Sequence, residues 1–213
     1  MLTSDQMQLI LSRYHRTEID VLPDGFRRAS VLVLILDSKD GPELLLTRRT
    51  HRVNSHKGQV AFPGGAEDPM DGSSEQTALR ETQEETGIPA DRIQILGRLN
   101  DRLTISDFVV TPVCGWIRDP DPGWLTVTNE EIDRMFTVPL TWLSDPERVR
   151  VEQWERQKFI TRMYFWRYDN EVIWGMTGLV IAELIDVLMG DGRLSGLTPE
   201  PSTMETFLKS VSR

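Results

Sequence analysis

Three carboxylates stand at helical spacing in the stretch Arg80-Glu81-Thr82-Gln83-Glu84-Glu85-Thr86-Gly87-Ile88. Positions i, i+3 and i+4 share one face of an α-helix, so Glu81, Glu84 and Glu85 are expected to crowd together. Crowding of this kind is locally unfavourable. Like charges one turn apart repel by about 0.2–0.5 kcal/mol per pair, and anions near a helix C-terminus oppose its dipole by a similar amount. A hard divalent cation held by carboxylate oxygens offsets both costs, so the cluster reads as a magnesium site. Glu81 and Glu85, one turn apart, are the first-choice ligands, and a backbone carbonyl at Gly64 or Gly65 could complete an octahedral oxygen set. The competing reading is a solvated charged face.

A second group of residues carries the opposite sign. Arg48, Arg49, His51, Arg52, His56 and Lys57 concentrate positive charge in an otherwise acidic chain. Guanidinium and ammonium groups suit a phosphate-bearing ligand, against the alternative of a solvated basic loop. The two histidines are poor magnesium ligands, because that ion favours oxygen over imidazole.

The elements that must position these groups have local signals. Ser73-x-x-Gln76 fits a capping box at the start of the glutamate helix. Gly87 suits a left-handed C-cap, and Pro89 prevents continuation. Between these ends only Ala78 and Leu79 are plainly apolar, so packing gives the helix little anchorage. Elsewhere, Met7 to Tyr14 reads as a short helix and Ser30 to Leu36 as a strand buried on both faces. Lys39-Asp40-Gly41-Pro42 is a turn, and the chain returns as a strand from Glu43 to Arg49. Ile93 to Leu103 and Phe108 to Trp116 read as two further strands. Met163 to Tyr168 and Val172 to Trp174 flank Asp169-Asn170, a hairpin signal. Gly178 to Met189 is apolar at helical spacing. Strands interrupted by two substantial helices predict an α/β protein, an α/β/α sandwich around a mixed sheet.

At the glutamate helix the chain resembles the Nudix hydrolases. Their signature runs Gly, five residues, Glu, seven residues, Arg-Glu, an aliphatic residue, any residue, Glu-Glu, any residue, Gly and an aliphatic residue. Here Gly65 is followed after five residues by Asp71 and after eight more by Arg80-Glu81, with Thr82 at the aliphatic position. The aspartate and the extra residue are what the coenzyme A diphosphatase branch looks like. A second stretch is similar to that branch's own motif: Leu45-Leu46-Thr47-Arg48-Arg49-Thr50, then Gly58, then Phe62-Pro63-Gly64-Gly65. It departs from the motif at Thr50, where a small residue is usual, and at Asn54, where an arginine is.

The resemblance implies a Nudix hydrolase domain over residues 30–190, after an N-terminal helix and lead-in at 1–29. Residues 191–213 would be a tail packed on the same domain, anchored by Met204 and Phe207. It implies metal-dependent hydrolysis of the diphosphate of coenzyme A or acyl-CoA, with Mg2+ or Mn2+ on Glu81, Glu85 and Glu84, the last directly or through water. Arg80 would brace the glutamates or Asp71. Arg48, Arg49, Arg52, His56, Lys57, Gly64 and Gly65 would contact substrate. The general base stays open among Glu81, Glu130, Glu131 and Asp107. Another nucleoside diphosphate derivative (ADP-ribose, NADH, a dinucleotide) is the alternative that Asn54 keeps alive. A non-catalytic binding module is a second alternative, against which the intact glutamates argue.

Composition bounds the remaining classes. A length of 213 residues suits one domain with terminal extensions, and an apolar fraction of 39% is adequate for one core. The formal charge of −9 argues against nucleic acid as a partner. Cys114 is expected in the core, with no disulfide. Trp154, Trp166 and Trp174 could stack on adenine, although aromatics at strand positions favour a core role. No stretch approaches a membrane span, and neither terminus reads as an address signal, so cytoplasm is the default. A homodimer is left open.

Overall fold

The structure, a computed structural model, describes residues 2–50, 58–125, 131–156 and 159–201. His51, Arg52, Asn54, His56, Lys57, Glu130, Met204 and Phe207, all named above, lie outside the described residues. The elements in chain order are α1 (Ser4–Arg13), β1 (Arg27–Ser38), β2 (Gly41–Arg49), β3 (Val60–Ala61), β4 (Gly64–Ala66), α2 (Ser74–Thr86), β5 (Gln94–Arg98), β6 (Arg102–Leu103) and β7 (Phe108–Arg118). There follow β8 (Ile132–Pro139), α3 (Leu140–Leu143), β9 (Val149–Arg156), β10 (Phe159–Tyr168), β11 (Glu171–Ile173), α4 (Gly175–Met189) and β12 (Glu200–Pro201). Two compact units result, Met1–Leu140 and Thr141–Arg213.

The first unit is built on a mixed eight-stranded sheet in the order β3-β2-β1-β7-β5, with β4 also pairing β1, β6 pairing β7 and β8 pairing β2. Strands β1 and β7 run parallel from Arg27↔Phe108 to Asp37↔Arg118, whereas the other pairings in this sheet are antiparallel. The β-branched and leucine run of β1 is buried continuously from Ala29 to Leu36, as a strand covered on both faces requires. Leu32, Leu34, Leu45, Val113 and Ile117 form a core that Ala78 of α2 joins. Each large aliphatic group buried there contributes about 1.5–3 kcal/mol relative to exposure. A small residue at position 78 lets the helix backbone sit close to that core.

Two elements differ from the sequence expectation. Helix α1 begins at Ser4 rather than Met7, because Thr3 and Gln6 form a reciprocal capping box that extends it. The expected continuous strand from Ile93 to Leu103 is broken. A 3-10 turn at Ala90–Arg92 precedes it, β5 carries a register irregularity between Ile95 and Gly97, and β6 starts afresh at Arg102. The break falls where the buried Asp101 carboxylate accepts from the Thr111 hydroxyl at 2.8 Å, the Ile19 amide at 2.8 Å and Arg16 at 3.0 Å. Those bonds turn the chain away from a regular ladder and tie the lead-in segment to the sheet.

The second unit holds the sheet β11-β10-β9-β12. Asp169 takes a left-handed φ of 51° in the β10–β11 turn, fulfilling the hairpin signal. Helix α4 buries Val180, Ile181, Leu184, Ile185 and Leu188. Trp166 is fully buried, with its indole N–H donated to the Leu143 carbonyl at 3.2 Å. Trp154 and Trp174 are half-buried and gather around Phe165. Cys114 is buried in β7, as expected of a core residue. Among the described residues no helix is long and apolar enough to cross a membrane.

Candidate active site

Helix α2 forms between the expected ends, and one of its signals works differently. The Ser73 side chain accepts from the Gln76 amide at 3.3 Å, but Gln76 returns its own side-chain oxygen to the Gly72 amide at 2.6 Å, one residue short of a true box. Gly87 closes the helix in the left-handed conformation at φ 74°. The buried residues of α2 are Thr77, Ala78, Thr82, Glu85 and Thr86, mostly polar. Thr82, at the signature's aliphatic position, is fully buried, and its hydroxyl has no hydrogen-bond partner among the described residues. It fills the place of an aliphatic side chain by shape alone.

Arg80 is the hub of the polar network. Its guanidinium meets Asp71 as a fork, Nε to Oδ1 at 3.1 Å and Nη2 to Oδ2 at 2.9 Å. It also donates to Glu81 at 2.9 Å, to Glu84 at 3.4 Å and to the Ala66 carbonyl at 3.1 Å. Asp71 is further held by the Thr77 hydroxyl and the Asp68 amide, each at 2.9 Å. The Arg80 fork, first among these contacts, keeps the Asp71 carboxyl well below its ordinary range, and Asp71 in turn holds Arg80 above its own. Thr77 gave no sign of this role in the sequence, although the extra residue between Asp71 and Arg80 lengthens the approach to the helix where it sits.

The Pro-Gly-Gly turn supplies the other wall. Gly64 has φ 148°, and a Cβ there would lie 2.3 Å from the Ser30 carbonyl oxygen in β1, so only glycine fits. Its amide donates to Glu85 Oε2 at 3.1 Å. At Gly65 a Cβ would lie 2.6 Å from the Glu81 carboxylate carbon. The turn and the helix therefore bring Gly64, Gly65, Glu81 and Glu85 together, whereas Glu84 remains exposed, with a side chain 58% accessible.

Burial dominates the electrostatics of the two inner glutamates. Glu85 is 7% exposed, and loss of water pushes its carboxyl up to about 7, against the opposing pull of the Gly64 amide and Arg49. Glu81 is also raised, again chiefly by burial and against the effect of Arg80. Arg49, at the end of β2, approaches Glu85 at 3.6 Å and Glu131 at 3.2 Å. Its neighbour Arg48 faces Asp133 at 3.6 Å. Glu131, one of several candidate bases in the sequence, is thus brought near Glu85 by way of a guanidinium. Asp107 instead lies at the start of the β1–β7 pairing, where its carbonyl accepts from Arg27.

Among the described residues no three His, Cys, Asp or Glu side chains converge as a ready-made metal cage. The donor chemistry nevertheless fits a hard dication. Two carboxylates one turn apart are reluctant to ionise unless a positive charge joins them, and Gly65 keeps the space beside Glu81 clear of a side chain.

The chain is similar to known proteins. The NUDIX domain model matches residues 26–165. The "Uncharacterized Nudix hydrolase NudL" of Photorhabdus laumondii is 40% identical over 164 residues, covering 76% of this chain and 86% of that protein. A protein of the same description from Yersinia pestis is 39% identical over 158 residues, covering 74% and 78%. Among solved structures, the binary complex of Caenorhabditis elegans Ap4A hydrolase superposes with a TM-score of 0.43 at 22% identity, covering 53% of this chain and 80% of that one. The chain belongs to the Nudix family and is a Nudix hydrolase, of the class that acts on nucleoside diphosphate derivatives with divalent metal ions.

Proposed function

We propose that the protein hydrolyses the diphosphate bond of coenzyme A or acyl-CoA. Water adds across the P–O–P bridge, and the two halves leave as phosphate monoesters, 3′,5′-ADP and 4′-phosphopantetheine or its acyl form. The observation that carries this reading is the meeting of two sequence motifs. Arg49, from the stretch similar to the coenzyme A motif, lies 3.6 Å from Glu85 of the Nudix helix. A cationic group from that stretch lies beside the glutamates, which supports a role for it in meeting a substrate phosphate.

Glu81 and Glu85 would hold Mg2+ or Mn2+, with Glu84 reaching in from its exposed position. A dication there supplies charge neutralisation at the non-bridging phosphate oxygens as negative charge accumulates on them. The chain's own residues do the rest. Arg80 and Asp71 fix the helix face, so that Glu81 and Glu85 need little rearrangement. Arg48 and Arg49, with Arg52, His56 and Lys57, would bind the diphosphate and the 3′-phosphate. Gly64 and Gly65 allow main chain close to a phosphate oxygen. A cytoplasmic location is compatible with this substrate.

Asn54, in place of the motif's second arginine, favours a second reading, hydrolysis of ADP-ribose, NADH or a dinucleotide. Steady-state assays of coenzyme A, ADP-ribose and NADH separate the two. Coenzyme A is expected to give the highest kcat/KM, and any other ranking rejects the first reading.

A further inference from the structure

We propose that Arg49 is an exchangeable counter-ion of the glutamate site. It neutralises Glu85 until a divalent cation takes that carboxylate, then stays tethered to Glu131 and turns its freed N–H groups to a substrate phosphate. The inference rests on the reading that Glu81 and Glu85 hold the metal.

Among the described residues, the two acidic contacts of the Arg49 side chain are unequal. Nη2 donates a hydrogen bond to Glu131 Oε2 at 3.2 Å, whereas Nη1 lies 3.6 Å from Glu85 Oε1, too far for a hydrogen bond. The guanidinium is thus anchored on Glu131 and only leans on Glu85. The other Glu85 oxygen is fixed by the Gly64 amide. Oε1 is accordingly the oxygen that faces Arg49, and a cation bound there meets a like charge at close range.

Backbone geometry places this tether deliberately. Arg48 pairs across the sheet with Arg134 and Arg49 with Ile132, so Asp133 bulges out of the ladder between them. The bulge sends Arg48 toward Asp133 and Arg49 toward the glutamates. The Thr50 amide then donates to the Glu131 carbonyl at 2.8 Å, pinning the tether's backbone beside the end of β2. Arg80 is the contrasting case. It is locked by a short fork to Asp71 and bonded to Glu81, Glu84 and Ala66, so it cannot leave when a metal arrives. The Glu131 side chain is 56% accessible, so the tether leaves the guanidinium room to turn without letting it go, while the contact that must give way is the longer one to Glu85.

The test is a Mg2+ titration by calorimetry without substrate, at pH 8.5, where protons compete little for the carboxylates. Arg49→Gln is expected to bind Mg2+ about tenfold more tightly than the unaltered protein, since a nearby like charge is gone. Arg49→Lys keeps the charge and should stay close to the unaltered affinity. With coenzyme A, both variants should raise KM about tenfold while kcat changes much less, as expected for a lost phosphate contact. Mg2+ affinity unchanged or weakened in Arg49→Gln overturns the proposal. If Arg49→Gln does not fold, Arg49→Lys decides: an unaltered KM overturns it equally. The Mg2+ measurement does not depend on which diphosphate is the substrate. Binding that survives Glu85→Gln undamaged instead removes the underlying metal reading, and this inference with it.

Discussion

Helix α2 runs 13 residues from a serine N-cap to a left-handed glycine at position 87, and α4 runs 15 residues from an uncapped Trp174 to a left-handed glycine at 190. Their C-terminal ends are alike, and their interiors are opposite. The five large aliphatic side chains that α4 buries provide a gross stabilisation on the order of 10 kcal/mol, an upper bound set by the extended-chain reference. Its missing side-chain cap, a loss of about 1 kcal/mol, matters little beside that. Helix α2 buries one alanine, three threonines and a glutamate, so its caps and the Arg80–Asp71 fork have to define it. A helix held by its ends and by one polar brace can present reluctant acids on its inner face. A helix held by packing cannot do so without losing its anchorage.

The sharpest way to break this contrast is to alter one inner acid. Glu85→Gln is expected to lower kcat about a thousandfold, or some 4 kcal/mol of transition-state stabilisation, while leaving the melting temperature level or higher. Turnover within tenfold of the unaltered protein would sink the assignment of the glutamates. The matching change in the packed helix should act on stability instead: Leu184→Ala is expected to cost about 2–5 kcal/mol in urea denaturation. A loss below about 1 kcal/mol would mean that burial does not hold α4.

The acid face also predicts how stability varies with pH when metal is chelated. The Glu85 carboxyl is held at about 7 in the folded protein, above its ordinary 4.5. Between those values the folded state binds the extra proton, so the contribution is complete below about pH 4.5 and disappears as pH rises through 7. About 2–3 kcal/mol is expected to be lost over that window. Asp71, held below its ordinary range, acts in the opposite sense and stabilises everywhere except in acid. Denaturation in EDTA from pH 4 to 8 measures the slope, and Glu85→Gln should flatten it. A slope that persists in the variant assigns it to another group. The smallest effect belongs to Thr82→Val, which removes a buried hydroxyl lacking a partner among the described residues. It should raise stability by about 1 kcal/mol, read as a few degrees in melting temperature. A decrease would show that the hydroxyl has found a bond.

What was legible in the chain followed from how local each cause is. Ser73, Gly87 and Pro89 mark the ends of α2 because capping depends on residues a turn apart, and the β-branched run of β1 announces its double burial. The Thr3–Gln6 box was equally local and could have placed the start of α1. The destination of Gln76 was not legible, since two amides one residue apart compete for it. Nor was the break at Asp101, whose partners Arg16 and Ile19 lie more than 80 residues away in sequence. The same holds for the site: the spacing of Glu81, Glu84 and Glu85 was visible, but burial alone distinguishes the exposed Glu84 from its neighbours. Strands β8 and β9 were not legible either, nor, with β8, the bulge beside Arg49.

The absence of a side chain at residue 65 reaches beyond its own turn. A methyl group there would occupy the space taken by the acid at residue 81, at 2.6 Å from Oε2. The two positions, sixteen residues apart, are therefore linked in one direction. A lineage that enlarges the first must shorten or withdraw the second, so residue 65 cannot gain a side chain while the acid keeps its place.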